Sequence, residues 1–305
     1  RGEVFVSDID GKFVQQINKS NAEKANEVKW LADNRTLLFN QTMNGYLNLY
    51  TIAADGTGGL KQVTNDKKDN RVVTFNKKRT QAVYLSGRNE VRVLDLKTFK
   101  DELVTKDELW GFNNSLPYFS PNDQFISFSA FRNFEQEIML YNTQTKKIIN
   151  LTNTSITETD PMWSQDGKYI YFTSSRLKPS YPFGIQNARI YRLPLENIDE
   201  PYRGDKFTEL FKEEKKDTSK KVIVKTDEVI NIDMDRIMDR LELVGPSFGS
   251  QAIVSLYQKG DKSTVFYSSN HSEGKPALWK TVIEPFEENK IEKIAGTDGA
   301  SSFQV

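Results

Sequence analysis

An all-β fold, a β-propeller of four-stranded antiparallel blades, is predicted by three observations. Aromatic pairs recur at a fixed period, turn residues separate short alternating runs, and helical periodicity is nearly absent along the 305 residues. An aromatic followed nine residues later by another occurs as Trp30/Phe39, Phe75/Tyr84, Phe119/Phe128 and Trp163/Phe172, the first members lying 45, 44 and 44 residues apart. A fifth copy, Tyr257/Phe266, begins 94 residues beyond Trp163, so an insertion is expected in between. A period of roughly 40–45 residues is that of a four-stranded propeller blade.

The strands of each repeat follow in order. In 161–173, Pro161-Met162-Trp163-Ser164 and Tyr169-Ile170-Tyr171-Phe172-Thr173 flank Gln165-Asp166-Gly167-Lys168. An Asp-Gly step between alternating, aromatic-rich runs predicts a hairpin with a tight primed turn, because such turns need positive φ. Pro121-Asn122-Asp123 and Ala32-Asp33-Asn34 hold the same place in other repeats. A third strand then ends in Leu49-Tyr50, Val93-Leu94, Leu140-Tyr141, Ile190-Tyr191 and Leu278-Trp279. A fourth closes each unit, as in Leu60-Lys61-Gln62-Val63-Thr64 and Ile148-Ile149-Asn150-Leu151-Thr152. Repeating such units around an axis protects the sheet edges. The recurring aromatics are expected to fill the space between blade faces.

Five complete blades are thus expected near 27–66, 70–106, 109–154, 157–244 and 249–294. Partial blades are expected at the ends: 4–9 and 12–17 as third and fourth strands around Asp10-Gly11, and 301–305 as a first strand. Two partial blades imply a seven-bladed parent; one split blade implies six. The opening on Arg1 rather than Met reads as a piece of a longer chain, with no leader visible before the first strand. Residues 1–305 are expected to form a single propeller fragment, interrupted by a charged surface insertion at about 194–228 that contains Lys212-Glu213-Glu214-Lys215-Lys216-Asp217. Residues 229–241 read as the delayed fourth strand of the interrupted blade.

Composition removes several function classes. Lys+Arg and Asp+Glu balance at 42 each, whereas nucleic-acid binders carry a basic excess. No apolar run reaches the roughly 18 residues of a membrane span. With no cysteine there is no disulfide, thiol nucleophile or thiolate metal site.

Two patterns resemble chemistry and fail on context. Gly245-Pro246-Ser247-Phe248-Gly249 matches G-x-S-x-G, and Asp261 and His271 follow in hydrolase order. A nucleophile elbow needs a strand, a sharp turn and a helix; here 251–257 read as another strand, and His271 lies in a loop-like run. Asp233, Asp235 and Asp239 form an acidic run, but an EF-hand loop counted from Asp233 would need Gly and Glu where Met238 and Val244 stand. Ion pairs with Arg236 or Arg240 are expected instead. No catalytic residue, metal ligand or cofactor-binding residue is therefore assigned.

The repeat Pro-Met-Trp-Ser-Gln-Asp-Gly-Lys-Tyr-Ile-Tyr-Phe at 161–172 resembles that of TolB and tricorn-type propellers. Arg1-Gly2-Glu3-Val4-Phe5 resembles the opening of the second propeller in tricorn-like serine peptidases. Ile232-Asp233-Met234-Asp235-Arg236-Ile237-Met238-Asp239-Arg240 is similar to a segment that follows a charged insertion in that family, with Arg236 where the family has Gly. The resemblance implies a non-catalytic propeller that guides or filters peptide or unfolded protein toward a catalytic domain outside this chain. It also implies C-terminal PDZ and peptidase domains in the parent and a periplasmic or secreted bacterial location. The alternatives are a stand-alone TolB-like periplasmic scaffold, or the propeller of a prolyl-oligopeptidase-type or polysaccharide-acting enzyme.

Overall fold

Short runs of alternating apolar residues have no way to bury a face alone, and here they do so as stacked four-stranded sheets. The computed structural model describes residues 2–18, 24–179, 187–197, 228–285 and 287–300. The chain divides into two compact units, 1–161 with 179–185 and 162–178 with 186–305. The fold is a β-propeller of the tricorn and TolB type, and all five predicted complete blades are present.

In the first unit, β1 (Phe5–Ser7) and β2 (Val14–Gln16) form a two-stranded antiparallel ladder with Phe5 opposite Gln16. The first blade follows as β3 (Ala25–Trp30), β4 (Thr36–Met43), β5 (Tyr46–Ala53) and β6 (Lys61–Gln62). The second is β7 (Asn70–Phe75), β8 (Gln81–Ser86), β9 (Glu90–Asp95) and β10 (Asp101–Lys106). The third is β11 (Tyr118–Phe119), β12 (Phe125–Arg132), β13 (Glu135–Asn142) and β14 (Ile148–Asn150). The fourth blade is β15 (Glu158–Trp163), β16 (Tyr169–Ser174), β17 (Arg189–Pro194) and β18 (Glu242–Leu243); the division of the chain falls within β15. The fifth is β19 (Gln251–Lys259), β20 (Lys262–Ser269), β21 (Ala277–Ile283) and β22 (Lys290–Lys293). Strands neighbour one another in chain order in every blade.

The core follows from the two-residue period of a strand, which sends successive side chains to opposite faces. Along β4, Leu37 and Phe39 pack with Val4 and Ile17 of the β1–β2 ladder, while Leu38 packs with Ala82 and Tyr84 of the second blade. Along β8, Ala82 and Tyr84 look back to the first blade, whereas Val83 and Leu85 meet Ile126, Phe128 and Ala130 of the third. In the second unit, Tyr171 and Ile190 pack with Val265, Tyr267 and Ile283. Each such strand is buried on both faces and so reads as a nearly continuous apolar run.

The connection from first to second strand differs from the expected tight turn. It spans five residues in the first blade, 31–35, and only one of them has positive φ. That residue is Asn34, Arg79, Asp123 and Gly167 in successive blades, each four positions after the first aromatic of its pair. The turn is held from its side: Asp33 accepts from the Arg35 and Thr36 amides, and the Ser120 and Ser164 hydroxyls accept from the Phe125 and Tyr169 amides at 2.9 Å. Primed two-residue turns occur instead between second and third strands, at Asn44-Gly45 and Asn133-Phe134, where both residues have positive φ.

Three further expectations are corrected. Residues 229–241 are not a strand: they run as irregular chain into a short 3-10 helix, Ile237–Arg240, and only Glu242–Leu243 completes the blade. Ile230 and Ile237 are buried, but Arg236 adopts a left-handed conformation (φ 46°, ψ 34°) that interrupts an extended run just before the helix. The third blade, expected to begin near 109, starts its first strand only at Tyr118, and that strand is two residues long because 109–117 run as a loop before it. The second aromatic of each pair in blades one to four is core, but Trp30 and Tyr257 are 42% and 55% exposed. Both stand in first strands whose ladders carry a bulge, between Asn26 and Lys29 and between Ile253 and Ser255, which re-aims the residues that follow. Most of the predicted insertion at 194–228, and the strand at 301–305, lie outside the described residues.

Candidate functional site

A meander of four antiparallel strands places the turn between strands two and three at the same end as the connection to the next blade. At that end of the first unit, such segments from blades one to three enclose a pocket of about 820 Å³. Tyr46 enters from the β4–β5 turn, Lys67–Asp69 from the connection to β7, Gly87–Asn89 from the β8–β9 turn, and Lys106–Gly111 from the connection to β11.

Arg71, buried in β7, organises one wall. Its guanidinium donates to the carbonyls of Gly87 (2.7 Å), Trp110 (2.9 Å) and Asn113 (3.2 Å). Burial, partly offset by Asp69 and Glu27, lowers its pKa from the ordinary arginine value. Satisfying three carbonyls with one cation fixes a loop that has no strand partners of its own.

That loop carries an aromatic cluster. Trp110 stacks on Phe131 with ring centroids 3.9 Å apart and planes 8° from parallel. Phe112 and Phe134 meet it edge-on at 5.4 and 5.8 Å. Phe112 and Phe134 are nevertheless 69% and 59% exposed. Both Trp110 and Phe134 sit at positive φ, 51° and 70°. Aromatic residues in that conformation are strained, and such strain collects where a surface is kept for use rather than for stability.

The charges are distributed unevenly. Lys68 and Arg92 pair with buried Glu90 at 2.8 and 2.9 Å, and Arg132 grips Asp107 at 2.7 and 3.1 Å. Asp69 accepts from the Leu47 amide at 2.9 Å. Lys67 and Arg88 are exposed and make no ion pair among the described residues. Arg88 lies along the aromatic loop: a β-carbon on Gly111 would stand 3.9 Å from its Cγ. Glu108 is exposed as well, so among the described residues the pocket offers two free cations and one free carboxylate beside the exposed rings.

A pocket of about 670 Å³ in the second unit lies at the opposite strand ends. Its principal groups are mutually occupied. Arg192 pairs with Glu242 at 2.5 Å and lies over the Tyr169 ring at 4.9 Å, while Gln258 donates to Asp166 at 2.8 Å.

The motif residues do not assemble into a catalytic site. Ser247 is exposed and is followed by strand β19. Asp261 precedes β20 and His271 follows it, at opposite ends of an eight-residue strand, roughly 25 Å apart at the usual rise per residue. His271 Nδ1 instead meets the Ser269 hydroxyl at 2.7 Å, and its ring lies against Trp279 with centroids 4.0 Å apart. Of the acidic run, Asp239 pairs with Arg236 at 2.6 Å and Asp233 approaches Arg240 at 4.0 Å.

Arg71, Arg88 and Trp110 line the pocket and Phe112 and Phe134 pack on Trp110 beside it; the sequence reading singled out none of them. One signal was present: Asn133-Phe134 stands where the first blade has Asn44-Gly45, an aromatic replacing the residue that the turn prefers.

The family model "Eukaryotic translation initiation factor eIF2A" matches residues 24–183, just over half of the sequence. The chain belongs to this family. For this eIF2A-family chain the matched stretch spans blades one to three and the start of the fourth, so membership rests on the propeller repeat. No curated protein matches the sequence. Among solved structures, it is similar to the tricorn protease, with TM-score 0.66 and 17% identity over 97% of this chain and 28% of that one. TolB from Acinetobacter baumannii gives 0.53 and 14%, over 97% and 60%. Oligogalacturonate lyase from Vibrio parahaemolyticus gives 0.57 and 9%, over 96% and 72%. The chain thus spans well under a third of the tricorn protease chain and three-fifths of that TolB. At these identities the likeness is one of fold. Among the described residues no helix is long and apolar enough to cross a membrane.

Proposed function

We propose that this chain is a non-catalytic binding propeller that captures extended or unfolded peptide and guides it to a serine peptidase domain elsewhere in its parent, beside a PDZ module. The observation that carries this reading is the aromatic cluster built on the pocket-lining Trp110, with Trp110 and Phe134 in strained conformations and Phe112 and Phe134 open to solvent. Exposed rings on a fixed frame supply apolar contact area at little entropic cost, as peptide-binding surfaces require. The structural likeness to the tricorn protease over 97% of the chain supports a peptidase parent, and the likeness to TolB supports a periplasmic location. The family description names translation initiation; the balanced charge of 42 against 42 gives this chain no basic excess for holding nucleic acid itself.

The test is titration of the chain with fluorescent peptides from an unfolded protein, with product analysis in the same samples. Saturable binding without cleavage is the expected result. Cleavage by the purified chain, or no binding even at millimolar peptide, would sink the proposal.

A further inference from the structure

We infer that the first-unit pocket selects peptides carrying an aromatic side chain with a carboxylate close to it. This rests on the peptide-capture reading above and gives it a substrate class. The argument is one of charge complementarity at a built surface. Of the acidic groups around the pocket, Glu90 is held by Lys68 and Arg92, Asp107 by Arg132, and Asp69 accepts from a backbone amide, while Glu108 is exposed. Arg88 and Lys67 remain without an ion-pair partner among the described residues, and the lining sets the cations Lys67, Lys68, Arg71, Arg88 and Lys106 against the carboxylates Asp69, Asp107 and Glu108, so its balance is positive.

Arg88 is not a remote surface charge. Its aliphatic stem lies against Gly111, between Trp110 and Phe112 in sequence, so an occupant stacked on these rings brings its next groups beside the guanidinium. Arginine is suited to this task because its planar fork accepts a carboxylate through two parallel hydrogen bonds. The wall behind is rigid, since Arg71 ties the carbonyls of Gly87 and Trp110 on either side of Arg88's position in the pocket. A ligand therefore meets both recognition elements without ordering them first, which lowers the cost of binding.

The experiment uses the full 305-residue chain and short, end-blocked, fluorescein-labelled peptides carrying one Phe and, near it, either Glu, Gln or Lys. Anisotropy should show the Glu peptide binding about tenfold more tightly than the Gln peptide. In Arg88→Glu that preference should vanish and the Lys peptide should become the better ligand. Phe112→Ser should weaken all three peptides alike. Both substituted residues are exposed, and circular dichroism verifies that each variant keeps its fold. Equal affinity for Glu and Gln peptides, or a preference surviving in Arg88→Glu, overturns this inference while leaving peptide capture intact. No binding of any peptide removes the functional reading as well. Tighter binding of a single-stranded RNA than of any peptide overturns both.

Discussion

Phe134 occupies the second position of a two-residue turn and adopts φ 70°, a conformation that glycine takes without penalty. The first blade uses Gly45 at the matching place, with φ 82° and open space where a β-carbon would stand. Phe134→Gly should therefore leave stability unchanged or raise it by up to about 1 kcal/mol, while weakening peptide binding several-fold. Urea unfolding measured beside anisotropy checks this directly. A loss of stability greater than about 1 kcal/mol would mean that the ring is needed for folding and is not held out for a ligand. Arg236 shows the opposite trade. It takes a left-handed conformation without an aromatic to present, and its ion pair with Asp239 is exposed.

At the scale of the element, the second blade shows how a sheet edge is secured by charge. Glu90 opens β9, is buried, and faces Lys68 and Arg92, with Lys106 of β10 farther away at 3.8 Å. Burial alone would push its carboxyl up; the hydrogen bonds and charges of Lys68 and Arg92 outweigh it and hold the pKa below 4.5. A carboxylate depressed in the folded state stabilises the fold above its unfolded pKa and loses that contribution as pH falls through the folded value. Stability should therefore decline as pH drops below about 4.5, and Glu90→Gln should be less stable at neutral pH with a flatter acid limb. Denaturation midpoints across that range decide it; an unchanged acid limb in the variant would refute the assignment.

The same blade shows what the sequence could reveal. Strand order and the five complete blades were legible because two periods coincide, two residues along a strand and about 44 between blades. Phe39, Tyr84, Phe128 and Phe172 are core as that pattern requires. The pocket was not legible, because it depends on contacts between segments far apart in sequence. Arg71 reaches carbonyls at Trp110 and Asn113, and no local pattern distinguishes such an arginine from a solvated one. The delayed fourth strand was misplaced for a related reason. Pairing of Glu242 with Arg192 across 50 residues fixes β18, whereas the local alternation of Ile232, Met234 and neighbouring aspartates only imitates a strand.

Over the whole molecule, burial rather than residue type ranks the repeated aromatics. Phe128 is 1% exposed and packs among Val83, Leu85 and Ile126, so Phe128→Ala should cost about 3–5 kcal/mol. Trp30, the larger ring but 42% exposed, should cost less, about 1–2 kcal/mol, on the same change. Urea titration of the two variants compares them, and similar losses would contradict the exposed placement of Trp30. The first two blades also divide their core residues nearly evenly between preceding and following neighbours.

That even division has an evolutionary consequence. A blade asks of its neighbours only an apolar face of suitable volume, and it offers the same in return, so a duplicated blade is compatible with the array from the moment it arises. Copies can then drift almost without limit as long as alternate positions stay apolar and one residue of each turn tolerates a left-handed backbone. The same fold accordingly occurs in solved structures only 9–17% identical to this chain. Ligand preference, carried by a few loop side chains such as Arg88 and Phe134, is free to change blade by blade without disturbing the frame.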